Sequence, residues 1–204
     1  MEKSKTSFGV REITITAILL AICIVSQIFK SLSVFITGPI INLCLALAVT
    51  LVNLPCAITL SIITPITAFF ISSSPVMMAV PAILIFIMGG NIVLVLAVHF
   101  LLKKDVLEAK GAFSPLCYIK AAVCALLKGL FMGLTISLWL LPTFIPAESP
   151  LQAKMSIFQT TFSVVQFATA CIGFVYYFII IVILKKYMKS IQQNKMKRTK
   201  QKQK

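Results

Sequence analysis

Residues 80–102 read VPAILIFIMGGNIVLVLAVHFLL, and this stretch decides the fold class. It contains no acidic residue, lysine or arginine, and a helix that crosses a bilayer needs about 20 predominantly apolar residues. Asn91 interrupts the run directly after Gly89 and Gly90. The stretch therefore predicts a transmembrane helix rather than a helix of a soluble domain.

Five further apolar runs repeat this pattern, at residues 13–35, 40–54, 56–71, 115–141 and 157–184. The chain is 59% hydrophobic and 12% charged, whereas a soluble domain is about half apolar and a quarter charged. Gly38-Pro39 predicts a helix break, as do Pro55 and the serines before Pro75. Runs 40–54 and 56–71 are short, so we interpret them as a buried hairpin. The sequence predicts an all-α integral membrane bundle of six helices.

The distribution of basic residues predicts the orientation of this bundle. The N-terminal segment, the loop around residues 103–110 and the C-terminal tail are all basic, and six spans place them on one side. Since lysine and arginine accumulate on the cytoplasmic side, both termini are predicted to be cytoplasmic. We expect a cytoplasmic segment at 1–12, a membrane domain at 13–187 and a disordered basic tail at 188–204, in the plasma membrane of a bacterial cell.

The net charge of +14 does not indicate a nucleic-acid-binding protein. Such a protein carries its lysines and arginines on a folded polar face, whereas here they flank apolar runs. Basic residues in that position attract the anionic headgroups of lipids. We therefore expect anionic lipid, and no nucleic acid, as the partner of the tail.

Lys128 is the most informative residue, because it lies near the middle of run 115–141. A charge at that depth costs roughly 2.5–3.5 kcal/mol on insertion scales. The functional interpretation is a cation that lines a water-accessible cavity and meets an anionic group of a substrate. The alternatives are a lysine bonded to backbone carbonyls, or one deprotonated by burial.

Other polar side chains within or beside the runs are candidates for the same substrate site. They are Asn42, Asn91, Trp139, Gln159 and Gln166. Gln159 and Gln166 are seven residues apart, so a continuous helix would place them on one face. Asn91 could equally hold two helices together, and Trp139 could be an interface anchor. Most of these residues map to the middle or the outer half of the spans, which predicts a cavity that opens outward.

Two patterns of small residues predict close helix packing. Ala17 and Ala21 lie four apart on the first span, and Gly129 and Gly133 on the fifth. The six cysteines form no metal-binding spacing and read as buried apolar residues, so neither a metal nor a cofactor is expected. The sequence has no nucleotide-binding or hydrolase motif and no acidic residue in mid-span, which argues against an enzyme or an ion-coupled pump.

The chain resembles the substrate-binding S components of energy-coupling factor (ECF) transporters, in a subfamily of unassigned substrate. The resemblance covers about residues 11–186 and includes the Ala17/Ala21 pair, the segment Thr37–Asn42, the Thr64-Pro65 break and Gly90-Asn91. It implies a subunit that binds a vitamin or similar micronutrient near the external face. It also implies docking through Ala17 and Ala21 onto a transmembrane coupling protein, which works with two ATPase subunits.

Two other functions remain open at this point. The chain could be a stand-alone secondary carrier or small channel, which would transport without partner subunits. It could also be a membrane scaffold that acts through its basic tail. The absence of a mid-span carboxylate and the outward polar cavity favour the S component.

Overall fold

A computed structural model describes residues 9–29, 34–72, 74–109 and 113–202, with side chains up to residue 187. Within these ranges the chain is helical and contains no strand. The helices are α1 (Val10–Ile28), α2 (Val34–Leu51), α3 (Leu54–Ser72), α4 (Pro75–Ala79), α5 (Ile83–Ala97), α6 (Lys103–Glu108), α7 (Pro115–Met132), α8 (Leu141–Phe144), α9 (Met155–Phe162) and α10 (Val164–Lys202). Two π-helical segments, Val98–Leu102 and Gly133–Leu140, join α5 to α6 and α7 to α8.

Six helical stretches of this structure are long and apolar enough to span a membrane. They are Val10–Ile28, Val34–Leu51, Leu54–Ser72, Ile83–Glu108, Pro115–Phe144 and Gln152–Tyr187. The predicted all-α class is therefore confirmed for the described residues, with six helices that are long and apolar enough to span a membrane. The cytoplasmic placement of the termini stays a prediction.

The predicted break at residues 36–39 is wrong, because Pro39 lies inside α2. The chain leaves the first helix earlier, after Ile28, and the second begins at Val34. A proline removes only one backbone donor, and neighbouring helices commonly compensate for it inside a membrane bundle. Gly38 packs directly on the side chain of Thr169 in α10, so helix packing continues through the Gly-Pro step. As a result α2 is a full span rather than a short one.

Helix α2 is the centre of the bundle, and 61% of its most apolar window is buried. It contacts α1, α3, α5 and α10. Helix α1 is at the other extreme, with 22% of its window buried. Its exposed side includes Ala17 and Ala21. That pair therefore does not mediate packing within this chain, whereas Gly129 and Gly133 do, against Phe167 and Ser163.

One end of the bundle, here called the basic end, is held together by lysines. Lys120 forms an ion pair with Asp105. Lys185 donates to the carbonyl oxygens of Val106 and, at 2.7 Å, Ala109, and so caps the last turn of α6. Its ammonium also lies 5.4 Å from the ring centre of Phe113. These contacts fix α6, α7 and α10 to one another.

Helix α10 continues to Lys202, where the composition of residues 188–204 predicted an irregular tail. After Gly173 this helix contains no glycine or proline, and lysine, glutamine, methionine and arginine are good helix formers. The backbone therefore meets no residue that would end the helix. Residues 1–8 of the predicted cytoplasmic segment, like residues 203 and 204, lie outside the described part of the chain.

Candidate functional site

The ammonium of Lys128 lies between two asparagine side chains. It donates to Oδ1 of Asn42 at 2.6 Å and to Oδ1 of Asn91 at 2.8 Å. All three residues are buried, each 3% exposed. A lysine ammonium can only donate hydrogen bonds, so both amide oxygens must face it. The partners of Lys128 are thus side-chain amides, and backbone carbonyls are not needed to explain its burial.

Two glycines allow close packing of the helices around these bonds. A Cβ on Gly173 of α10 would lie 2.8 Å from the carbonyl oxygen of Pro39 and 2.9 Å from Cβ of Asn42. A Cβ on Gly90 of α5 would lie 2.6 Å from Cγ of Met132 in α7. Because neither glycine has a side chain, α10 presses on α2 beside Asn42, and α5 presses on α7 beside Lys128.

Pro65 fixes the third member of the cluster. Its ring nitrogen carries no hydrogen, so the carbonyl of Ser61, four residues earlier, loses its partner within α3. The side chain of Asn91 supplies a replacement, because Nδ2 donates to this carbonyl at 3.4 Å. With its NH₂ group directed at α3, the amide presents its oxygen to Lys128. The backbone donor that is missing at Pro65, inside the continuous α3, therefore orients the amide that stabilises the buried lysine.

Lys128, Asn42 and Asn91 line a cavity of about 270 Å³ within the bundle. The cavity extends to Val34 and Ser74, near the starts of α2 and α4, and its further wall is α9. These positions lie at the end of the bundle opposite the basic end, here called the cavity end. The remaining lining residues are Thr37, Gly38, Ile41, Thr64, Pro65, Ala68, Val76, Met77, Ile87, Ile157, Phe158, Thr161, Phe162 and Gln166. The volume lies just below the range of about 300–1,000 Å³ that is common for small-molecule sites.

Lys128, Asn42 and Asn91 form the polar floor of the cavity, and this floor has hydrogen-bond donors that no protein group uses. Lys128 has three N–H groups, and two of them are bonded to the asparagines. Nδ2 of Asn42 is buried and has no partner among the described residues. No acidic side chain of the described chain is bonded to Lys128. The floor can therefore donate hydrogen bonds to an acceptor that enters the cavity.

The threonine hydroxyls of the wall already donate to backbone carbonyls, that of Thr37 to Ser26 in α1 and those of Thr64 and Thr161 within their own helices. The hydroxyls of Thr37, Thr64 and Thr161 donate to carbonyl oxygens at 2.9 Å, 2.9 Å and 2.7 Å. Each hydroxyl oxygen keeps lone pairs but has no proton left to offer. Donors thus concentrate at the floor, and the wall above it is apolar apart from the threonine oxygens, Ser74 and Gln166.

The structure brings four of the predicted substrate residues together: Asn42, Asn91, Lys128 and Gln166 all line the cavity. Gln166 reaches it from the first turn of α10. Thr161 and Phe158 could not be singled out in the sequence, because threonine and phenylalanine are common in membrane helices. The predicted break at Thr64-Pro65 is wrong, because α3 continues through Pro65. The effect of Pro65 on Asn91 depends on a contact between distant residues.

Gln159 and Trp139 lie outside the cavity. The backbone at Ser163 leaves the helical region, with φ −120° and ψ −85°, so α9 and α10 do not form one continuous helix. The seven-residue spacing therefore does not place Gln159 and Gln166 on one face. Gln159 instead bonds with Ser137: its Nε2 donates to the Ser137 carbonyl at 3.0 Å, and the Ser137 hydroxyl donates to the Gln159 carbonyl at 2.8 Å. Trp139 is 54% exposed and contacts Phe86 edge to face.

Within the described ranges, no three histidine, cysteine, aspartate or glutamate side chains are close enough to hold a metal ion. The six cysteines are free thiols in the structure. The chemistry of the site is therefore that of one lysine and its amide neighbours.

Comparison of the chain with protein-family models, characterised proteins and solved structures finds no match. Any functional conclusion therefore depends on the geometry of the bundle and its cavity.

Proposed function

We propose that this protein is the membrane-embedded, substrate-binding subunit of an ATP-driven importer of the ECF type, which captures a vitamin or similar micronutrient. The observation that carries the proposal is the buried cluster of Lys128, Asn42 and Asn91 at the floor of the cavity. Burying a lysine in mid-membrane is costly, and a bundle held only by packing would not need it. The energetic cost of burying Lys128 is explained if Lys128 and its two asparagine partners bind a ligand.

The direction of transport follows from the positive-inside rule. The basic end carries Lys103, Lys104, Lys120, Lys185 and the lysine-rich remainder of α10. The cavity lies at the opposite end. Lysine-rich ends face the cytoplasm in membrane proteins. On that basis the cavity faces the outside of the cell, where an import subunit must capture its substrate.

The energy for transport would come from partner subunits. The chain lacks a phosphate-binding loop motif, so it supplies no nucleotide site of that kind. Helix α1 offers a weakly buried surface on which Ala17 and Ala21 lie four residues apart. Small residues at that spacing let a second helix approach closely in lipid. We propose this surface as the contact with a transmembrane coupling protein that connects to two ATPases.

The test begins with the purified full chain in mild detergent. Small molecules extracted from it are identified by mass spectrometry, and a panel of B vitamins is tested by isothermal titration. We expect one compound to copurify or to bind, and Lys128→Met to weaken that binding. Lys120→Met is the matched control, because Lys120 is on the same helix but lies outside the cavity.

Two results would contradict the proposal. A sample that neither contains a small molecule nor binds any vitamin would remove its basis. Uptake into vesicles by the chain alone, without coupling protein or ATPases, would instead identify a stand-alone carrier or channel.

A further inference from the structure

The floor and the wall of the cavity differ sharply in chemistry, and the difference restricts the ligand. Among the residues that line the cavity, Lys128 is the one charged side chain. Its remaining N–H group and Nδ2 of Asn42 are two donors that the described protein leaves without acceptors. A buried donor without an acceptor is destabilising, and more so when it is charged. The ligand group that meets this floor must accept hydrogen bonds.

The same donors discriminate between classes of ligand. The ammonium of Lys128 would repel a cationic head group of a ligand. Lys128 and Nδ2 of Asn42 are both donors, so such a head group would also find no acceptor for its own N–H groups. A phosphate carries up to two charges and three acceptor oxygens, and it is usually bound by arginine or by several backbone N–H groups. The lining contains no arginine, and the floor lies in mid-helix, where backbone N–H groups are bonded. A carboxylate has one charge and two oxygens, which matches one ammonium and one amide NH₂.

The wall sets the nature of the rest of the ligand. Ile41, Met77, Phe158 and Phe162 surround the space beyond the floor, and the threonine hydroxyls there have no proton to donate. A strongly polar body would lose its water and gain donors only from Ser74 and Gln166 in return. The volume of about 270 Å³ also excludes a dinucleotide-sized compound.

From these observations we propose that the cavity binds a small monocarboxylate with an apolar body, whose carboxylate accepts hydrogen bonds from Lys128 and from Nδ2 of Asn42. This inference rests on the proposed function, since it assumes that the cavity is a ligand site. It adds the polarity, the charge and the approximate size of what is bound. Fatty acids of the membrane carry the same head group, but the cavity volume favours a short, soluble acid.

The experiment compares three acids with their amides on the purified full chain: phenylacetate with phenylacetamide, hexanoate with hexanamide, and nicotinate with nicotinamide. Each amide keeps the shape of the acid and removes its charge. We expect at least one acid to bind at least about tenfold more tightly than its amide in isothermal titration at neutral pH. If no acid binds more tightly than its amide, including the case in which none binds, the inference is wrong. Hexadecanoate is a further arm, and its binding more tightly than every soluble acid would contradict the assignment to a small ligand.

Two variants tie the preference to the floor of the cavity. Lys128→Met should remove the advantage of the acid over the amide, while Lys120→Met should leave it unchanged. Asn42→Asp replaces the amide beside Lys128 with a carboxylate, which pairs with the ammonium and removes the Nδ2 donor that the ligand would use. It should therefore raise the melting temperature of the empty protein and abolish acid binding, whereas a merely destabilised variant would melt earlier. Acid binding that survives Asn42→Asp would refute the placement.

The outcomes also separate this inference from the proposed function. A vitamin that binds while the acids show no advantage would refute the carboxylate and leave the import subunit in place. Binding of the acids by a chain that transports without partner subunits would refute the import subunit and leave the carboxylate in place.

Discussion

Gly173→Ala tests whether the contact between α10 and α2 positions the candidate site. The new methyl group would lie 2.8 Å from the carbonyl oxygen of Pro39 and 2.9 Å from Cβ of Asn42. Both belong to the helix backbone or its first side-chain atom, so neither can rotate away. Favourable contacts between carbon atoms begin at about 3.5 Å, so the new methyl group and Cβ of Asn42 must separate by about 0.6 Å.

The magnitude combines two opposing terms. Overpacking of a tight contact costs about 1–3 kcal/mol. Replacing glycine by alanine in a helix interior returns about 0.8–1 kcal/mol. The variant should therefore lose between about 0 and 2 kcal/mol of stability. The same displacement would lengthen the 2.6 Å bond from Lys128 to Asn42 to about the 3.2 Å limit of a good hydrogen bond.

The control is Gly133→Ala, which gains the same helix propensity. Its methyl group would lie 3.2 Å from Cβ and 3.9 Å from Cα of Ser163, and that neighbour needs to shift by a few tenths of an ångström. Thermal unfolding by circular dichroism should place Gly173→Ala about 1–3 kcal/mol below this control. Binding of the copurified ligand should weaken by roughly tenfold in Gly173→Ala alone. Equal stability and equal affinity in the two variants would refute the role given to this contact.

Three other changes test the supports of the site. Pro65→Ala restores a backbone donor for the Ser61 carbonyl, so the stability of α3 should rise by up to about 3 kcal/mol. Ligand affinity should fall, because the restored N–H competes with Asn91 for that carbonyl. Unchanged affinity in titration would contradict this link between Pro65 and Asn91. Gln159→Leu removes one bond between α9 and the second π-helical segment, so amide hydrogen exchange in α9 should accelerate by up to about tenfold, and unaltered exchange would show that this bond does not hold α9. Lys185→Met leaves two carbonyls at the end of α6 without their lysine donor, and a stability loss of about 1–3 kcal/mol is expected in thermal unfolding; full stability would show that water replaces the lysine.

The sequence was sufficient for the fold class because hydrophobic length is a local property. Each of the six runs could be recognised without knowing its neighbours, since a lipid-facing helix must be apolar along its whole span. Helix ends were less predictable. Gly38-Pro39 would end a helix in water, yet in this bundle Gly38 packs on Thr169 and α2 continues through the pair.

The candidate site was partly predictable for a related reason. Lys128 and Asn91 stood out because polar groups are costly at mid-membrane depth, and each needs a partner. Which groups would pair could not be read from the chain, because the two bonds of Lys128 span 86 and 37 residues. The prediction that Gln159 and Gln166 share one helix face was wrong, because the backbone is irregular at Ser163. No glycine or proline stands there to indicate the interruption.

The helix-perturbing residues of this chain do more than interrupt its spans. Pro65 leaves a carbonyl unpaired in the middle of α3, and that carbonyl receives the amide of Asn91. Gly90 and Gly173 remove the side chains that would keep α5 and α10 away from the lysine and its partners. In a bundle without the hydrophobic drive of water, packing and interhelical hydrogen bonds must supply the cohesion. Pro65, Gly90 and Gly173 weaken their own helices, yet together they allow the charged cluster of Lys128, Asn42 and Asn91 to form beside the cavity. Stability and ligand affinity should therefore change in opposite directions when Pro65 is replaced.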